Sequence, residues 1–177
     1  MTMMQFKIEQ IALAPADPEK AIKLLTKLGL HEWARDIVVA RGTVFGKRDE
    51  VNVAELAFNY QASREGEMRE DTGTRDQPKP LELEVLSYKA GDNWLKGDCR
   101  GTNSVSHIGM HCTMSELTEW KMFFRGEGIG IAQEVNTQSH TNPAIAGQRW
   151  YRYCIFDTVN ILGVDLKFIV RLEKAEA

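Results

Sequence analysis

At 177 residues, with 43% hydrophobic and 27% charged side chains, the chain holds enough apolar material for one domain or two small modules sharing a sheet. A formal charge of −3 speaks against the basic stripe of a nucleic-acid-binding protein. No apolar run approaches a membrane span, and the opening Met-Thr-Met-Met-Gln-Phe-Lys lacks the apolar core of a signal peptide, so the expectation is a cytoplasmic protein with no membrane partner.

Phe6–Leu13 alternates as a strand, with Phe6, Ile8, Gln10 and Ala12 on one face. Asp17-Pro18-Glu19 supplies an N-cap, a proline at the first helical position and an acid in the first turn. Ala21, Leu24, Leu25 and Leu28 then recur at helical spacing before Gly29. Trp33–Phe45 and Val51–Tyr60 read as strands around a Gly46–Glu50 turn. The polar stretch 61–80, with its glycines, threonines and two prolines, reads as a mobile loop (about 62–80). Leu81–Tyr88 is a fourth strand, and Gly91–Gly101 reads as a connector.

The plan then repeats. Val105–Cys112 is a strand with His107 and His111 on one face and Ile108, Met110 and Cys112 on the other. Thr113 and Glu116 form a capping-box pattern, although Ser115 is also a candidate cap. Leu117, Trp120, Phe123 and Phe124 make a helical stripe that ends at Gly126 and Gly128. Ile129–Val135, Arg149–Phe156 and Val164–Leu172 are strands, with His140 in a polar loop over 136–147. Laying Gln10 on His107 brings Ile11 onto Ile108 and Leu13 onto Met110, a faint internal repeat. The expected fold is therefore α+β: two βαβββ modules, residues 1–95 and 101–177, forming cupped mixed sheets with helices on the outer face. Cys99, Cys112 and Cys154 have no metal-finger spacing and read as thiols.

Register parity adds a site. If Leu81, Leu83 and Val85, Ile108 and Met110, and Leu166 and Phe168 face the helices, the opposite face carries Gln10, Glu82 and Glu84, His107 and His111, and Asp165 and Lys167. Glu82 and Glu84 lie about 7 Å apart on their strand face, and His107 and His111 about 13 Å apart, too far to share one ion. Trp150, with Arg152 as an anion clamp, is a further candidate for a pocket wall.

The doubled element order, the run Gln-Ile-Ala-Leu-Ala-Pro-Ala-Asp-Pro before a helix ending Lys-Leu-Gly-Leu, and Ser-His-Ile-Gly-Met resemble the vicinal oxygen chelate superfamily over about residues 5–172. That superfamily includes glyoxalase I, bleomycin-resistance proteins, fosfomycin-resistance enzymes and extradiol dioxygenases. The resemblance implies metal ligands at Gln10, Glu84 (or Glu82) and His107, a set suited to Zn, Ni, Fe or Mn. Where the family has a glutamate that is both ligand and base, this chain has Lys167, with Asp165 the nearest carboxylate. As an enzyme the chain would be a glyoxalase-like lyase or isomerase acting on a carbonyl or vicinal-oxygen substrate, with Glu84, His107 and Lys167 catalytic. The rival is a metal-free, small-molecule-sequestering protein of the bleomycin-resistance type. The resemblance also carries over a homodimer, since modules in that superfamily either close within a chain or swap with a second one.

Overall fold

The computed structural model describes residues 5–60, 81–96, 104–141, 146–147 and 150–172; the expected loop over 62–80 and Cys99 lie outside them. Eight strands, β1 (Gln10–Ala14), β2 (Ala34–Val44), β3 (Lys47–Asn59), β4 (Glu82–Ala90), β5 (Ser104–His111), β6 (Ile131–Ser139), β7 (Trp150–Phe156) and β8 (Asp165–Leu172), close into one barrel in the order β1-β4-β3-β2-β6-β7-β8-β5. The helices are short: α1 (Pro18–Lys27), α2 (Met114–Gly126) and the single turn α3 (Val159–Leu162).

This corrects the expectation of two βαβββ modules forming cupped mixed sheets with helices on the outer face: the sheet is a single closed barrel. The strands of the two halves are hydrogen-bonded to each other at both seams, β1 antiparallel to β5 and β2 antiparallel to β6. The physical reason is the edge. Two four-stranded sheets would each expose two rows of unpaired backbone groups, and joining them edge to edge satisfies all four rows. Periodicity reports which way side chains face and carries no information about edge partners.

At the β2–β6 seam, Gly42 pairs with Val135, and a Cβ at Gly42 would overlap the Glu134 carbonyl oxygen. The glycine thus permits the close approach that shuts this side of the barrel.

Local signals explain the helices. Asp17 accepts a hydrogen bond from the Lys20 N–H at 2.9 Å and caps α1. The buried stripe of α1 is not the expected one. Ile22 is buried, with Leu25 packed beside it, against Ala57 and Val85, while Leu24 and Leu28 face solvent. Both stripes fit helical spacing, and only the packing partner distinguishes them. For α2, Thr113 is the cap, its hydroxyl and Glu116 forming a reciprocal capping box. Leu117, Trp120 and Phe124 bury against Phe156, Leu166 and Phe168, leaving Phe123 half exposed. Among the described residues no helix is long and apolar enough to cross a membrane.

Residues 91–96 do more than connect. Gly91 turns at φ +81, where a Cβ would collide with the Val51 carbonyl, so the backbone passes directly over β3. Asn52 Nδ2 donates to the Asp92 carbonyl at 3.1 Å, and Asn93 Oδ1 accepts from the Leu95 N–H at 3.0 Å. This anchored turn leads into a 3-10 segment (Trp94–Lys96) and buries the Trp94 ring among Val38, Leu56, Leu86 and Ile155. The connector plugs the barrel with a tryptophan.

The seam predicts a contrast. Gly42→Ala destabilises the protein by about 2 kcal/mol or more, because strand backbone must give way. Gly126→Ala, in a helix with open space around it, is neutral or stabilising by up to about 1 kcal/mol. Urea unfolding of the two variants checks both.

Candidate functional site inside the barrel

Four neighbouring strands, β4-β1-β5-β8, each send one polar side chain to the same place. Glu84, Gln10, His107 and Lys167 are all buried, at 1%, 2%, 0% and 4% exposure. The register makes this possible. Ala12 pairs with both Glu84 and His107, and Gln10 and Lys167 both pair with Gly109. Gly109 leaves room for Gln10: a Cβ there would stand 3.2 Å from the Gln10 amide oxygen, close enough to press on it.

The contacts form one chain of partners. Lys167 Nζ donates to Glu84 Oε2 at 3.2 Å and lies 4.3 Å from the Tyr153 ring centroid, a cation–π contact. His107 Nε2 faces two acceptors, Gln10 Oε1 at 2.9 Å and Glu84 Oε2 at 3.4 Å, so the neutral ring carries its hydrogen on Nε2. Ser106 Oγ sits 3.2 Å from Nδ1 on the other side. The Gln10 amide nitrogen donates in turn to Glu82.

Burial raises the Glu84 carboxyl, but the Lys167 charge and then the His107 hydrogen bond outweigh it and hold it at about 2. For His107, burial and then the Lys167 charge push the imidazole down to about 4. Glu82 goes the other way. Burial, then repulsion from Glu84, lift it above the ordinary carboxylate range against hydrogen bonds from Gln10 and Tyr60. At neutral pH the centre is therefore a carboxylate–ammonium pair beside a neutral imidazole.

The opposite wall is mostly apolar. A cavity of about 20 Å³, the size of one water, lies between Glu84, His107 and Lys167 on one side and Val38, Ala40, Leu56, Val135 and Ile155 on the other. Tyr88, Trp94 and Tyr153 add aromatic surface, and Asn52 and Gln133 add amides.

The other sequence candidates fall elsewhere. His111 Nδ1 is bonded to Glu9 at 3.0 Å, partly exposed at the end of β5. Asp165 is buried, but its Oδ1 accepts from the Thr158 and Val159 N–H groups at 3.0 and 3.1 Å, tying down the α3 turn. Trp150 packs with the cluster around Phe156 and Phe168, and Arg152 bonds Asn136 on the same side of β7; neither lines the cavity. His140 is exposed after β6. Sequence reasoning missed Trp94, Tyr88 and Tyr153. The two tyrosines share strand parity with Glu84 and with Ile155, whereas nothing in residues 91–101 marks Trp94 as an inward plug.

Gln10, Glu84 and His107 do converge, but the set does not fit a divalent ion as it stands. The fourth corner is an ammonium, which has no lone pair and repels a cation, and it already neutralises the one carboxylate of the trio. Among the described residues there is no group of three His, Cys, Asp or Glu side chains placed for a metal.

Two outcomes follow. Lys167→Glu replaces the cation with an acceptor, and titration calorimetry with Zn, Ni and Mn should show divalent binding at least tenfold tighter than wild type; equal affinity would remove the four-strand convergence as a latent ligand set. The depressed His107 also sets a pH dependence. Between pH 6.5 and 4 the unfolded histidine takes up a proton that the native one refuses, so native stability falls as pH falls across that window, by about 1–3 kcal/mol. Glu84 adds a further loss between pH 4.5 and 2, and Glu82 acts in the opposite sense. In His107→Gln the loss between pH 6.5 and 4 shrinks, as read from urea midpoints.

A comparison with protein-family models finds no match for this chain, and a comparison with curated proteins finds none either.

Proposed function

We propose that the chain is a metal-independent small-molecule-binding protein that takes its ligand inside the barrel. The observation that carries this is the buried Lys167–Glu84 pair beside neutral His107, facing an apolar wall across a cavity. An ion pair withdrawn from water costs several kcal/mol of desolvation, and apolar residues would fill the same volume at least as stably. Polar groups converging on an otherwise apolar cavity are what orient a ligand. The likeness of residues 10–18 and 106–110 to the vicinal oxygen chelate superfamily, within which bleomycin-resistance proteins sequester ligands, supports the same reading, and a second copy of the chain is the partner that likeness suggests.

The proton affinities favour binding over turnover by this trio. A carboxylate held at about 2 is a weak base and a neutral imidazole that protonates only near 4 is little better, whereas general bases work best with a pKa near the working pH. A glyoxalase-like lyase or isomerase is the second reading, and the raised Glu82 favours it, because a carboxyl lifted toward neutrality is the better proton shuttle. In that scheme the Lys167 ammonium would stabilise the oxyanion of an enediolate.

The test is titration of the chelator-treated protein with 2-oxoaldehydes and their thiol adducts, with turnover followed in parallel. Saturable binding without turnover, weakened at least tenfold in the charge-neutral pair Lys167→Met/Glu84→Gln, is the expected result. Turnover abolished in Glu82→Gln would establish the lyase instead. Absence of both binding and turnover would sink the two readings together.

A further inference from the structure

The hydrogen bonds that pass through Gln10 can run in either direction, and the interior holds the partners for both. A carboxylate has no hydrogen to give, so the Gln10 amide nitrogen must face Glu82, which leaves its oxygen for His107. His107 then donates from Nε2, to Gln10 Oε1 at 2.9 Å and toward Glu84 Oε2 at 3.4 Å. Its Nδ1 is left as an acceptor, and the Ser106 hydroxyl, 3.2 Å away, supplies the hydrogen.

The opposite direction needs one more acceptor at the far end, and it is in place: Ser106 Oγ also lies 3.2 Å from the Ala12 carbonyl oxygen. When position 82 donates, the Gln10 amide turns over and gives its own hydrogen to His107 Nε2. His107 then carries its hydrogen on Nδ1 and donates to Ser106, and Ser106 donates to Ala12. Each of these groups keeps a partner, which matters because Gln10, Ser106 and His107 are only 2%, 6% and 0% exposed and solvent cannot serve them. The turn asks little of the packing, since the two ends of an amide are nearly alike in shape and the residue paired with Gln10 across the strands is Gly109, with no side chain in the way. The two directions differ at one point of consequence. In the first, Glu84 holds two donors, Lys167 and His107; in the second it keeps Lys167 alone, and His107 turns a lone pair toward it.

We propose that Gln10, His107 and Ser106 form a reversible hydrogen-bond chain whose direction is set by whether position 82 accepts or donates, and that reversal withdraws the His107 hydrogen from Glu84. This is a regulatory device for the interior site proposed above, and its use rests on that reading. An event at the barrel rim thereby changes how many acceptor positions Glu84 has free beside Lys167, in the wall of the cavity. Besides Gln10, Glu82 meets the Tyr60 hydroxyl, which donates to it, and the charges of Glu84 and His111.

Glu82→Gln imposes the reversal at constant, neutral pH. Tyr60 keeps the side-chain oxygen as its acceptor, so the new amide nitrogen has to donate to Gln10. The substitution is isosteric and removes a charge that burial already disfavours, so the fold is retained. The readout is the proton–nitrogen spectrum of the histidine rings in the full chain without ligand, with the His107 ring identified by through-bond correlation to its own backbone. The expected result is hydrogen on Nε2 in the wild type and on Nδ1 in Glu82→Gln. Adding Ser106→Ala to that variant would leave an Nδ1 hydrogen without an acceptor, so the ring returns to Nε2; adding Ser106→Thr, which retains the hydroxyl, leaves the hydrogen on Nδ1. Hydrogen on Nδ1 in the wild type, on Nε2 in Glu82→Gln, or a ring that ignores the loss of the Ser106 hydroxyl each overturns the proposal. No ligand enters the experiment, so its failure leaves the binding reading standing, and a barrel that binds nothing can still show the reversal.

Discussion

The ion pair between Glu84 and Lys167 is the constraint around which the interior is arranged. A closed eight-stranded barrel has an inside just wide enough for side chains to fill, and every strand must send alternate residues into it. An isolated charge there is intolerable, so a lysine from β8 requires an acid within reach, and β4 supplies it across β1 and β5. The two intervening strands carry the side chains that finish the acid's hydrogen bonding, directly through His107 and indirectly through Gln10. The depressed proton affinity of Glu84 is a consequence of this pairing, whereas that of His107 comes first from burial and then from the Lys167 charge. The strength of the pair depends on barrel closure, because water at an open edge would screen it.

Closure explains the plug in turn. A barrel of this size with a polar wall on one side and mainly aliphatic residues on the other leaves space in the middle, and the chain has to cross from β4 to β5 somewhere. Residues 91–96 cross it inward. Gly91 passes over β3 without a Cβ, Asn52 and Asn93 satisfy the turn's backbone, and the Trp94 ring packs against Leu56, Leu86 and Ile155. What is left is water-sized and bordered by donors. The device that stabilises the barrel end and the device that shapes the cavity are the same side chain.

Much of this was legible in the sequence, and the failures have physical causes. The strands lie within a few residues of where alternation puts them, and parity separates Ile108, Met110, Leu166 and Phe168 from His107 and Lys167, because a period of two is a local property of each strand. The architecture built from those strands was wrong: two cupped modules were expected, and one closed barrel is found. Strand pairing across the seams is decided by edges meeting in space, for which neither the β1 nor the β2 sequence carries a mark beyond Gly42. Parity also proved too generous. It puts Asp165 and His111 on the site face, but Asp165 accepts from the backbone at the start of the preceding α3 turn and His111 bonds Glu9. Trp150 and Arg152 stand out by residue type rather than parity, and they share the parity of Cys154 and Phe156, which pack in the cluster under α2.

The contrast between Glu82 and Glu84 shows how far environment, rather than residue type, assigns roles here. Both are glutamates on one face of one strand, two residues apart. Glu84 has an ammonium and an imidazole N–H that outweigh burial and hold its carboxyl down; at Glu82 burial, and then the repulsion of its neighbour, outweigh amide and phenol donors and push its carboxyl up. A group that stays ionised under all ordinary conditions is suited to fixing the position of Lys167 and of anything that Lys167 binds. A carboxyl whose proton affinity is raised is the better suited of the two to moving a proton. If the barrel binds without reacting, the first glutamate is sufficient and the second is a rim residue stacked above it; if the barrel reacts, the second is needed. The choice between a sequestering protein and an enzyme therefore comes down to whether a ligand held at Lys167 presents its acidic hydrogen toward Glu82, some 7 Å along the strand from Glu84.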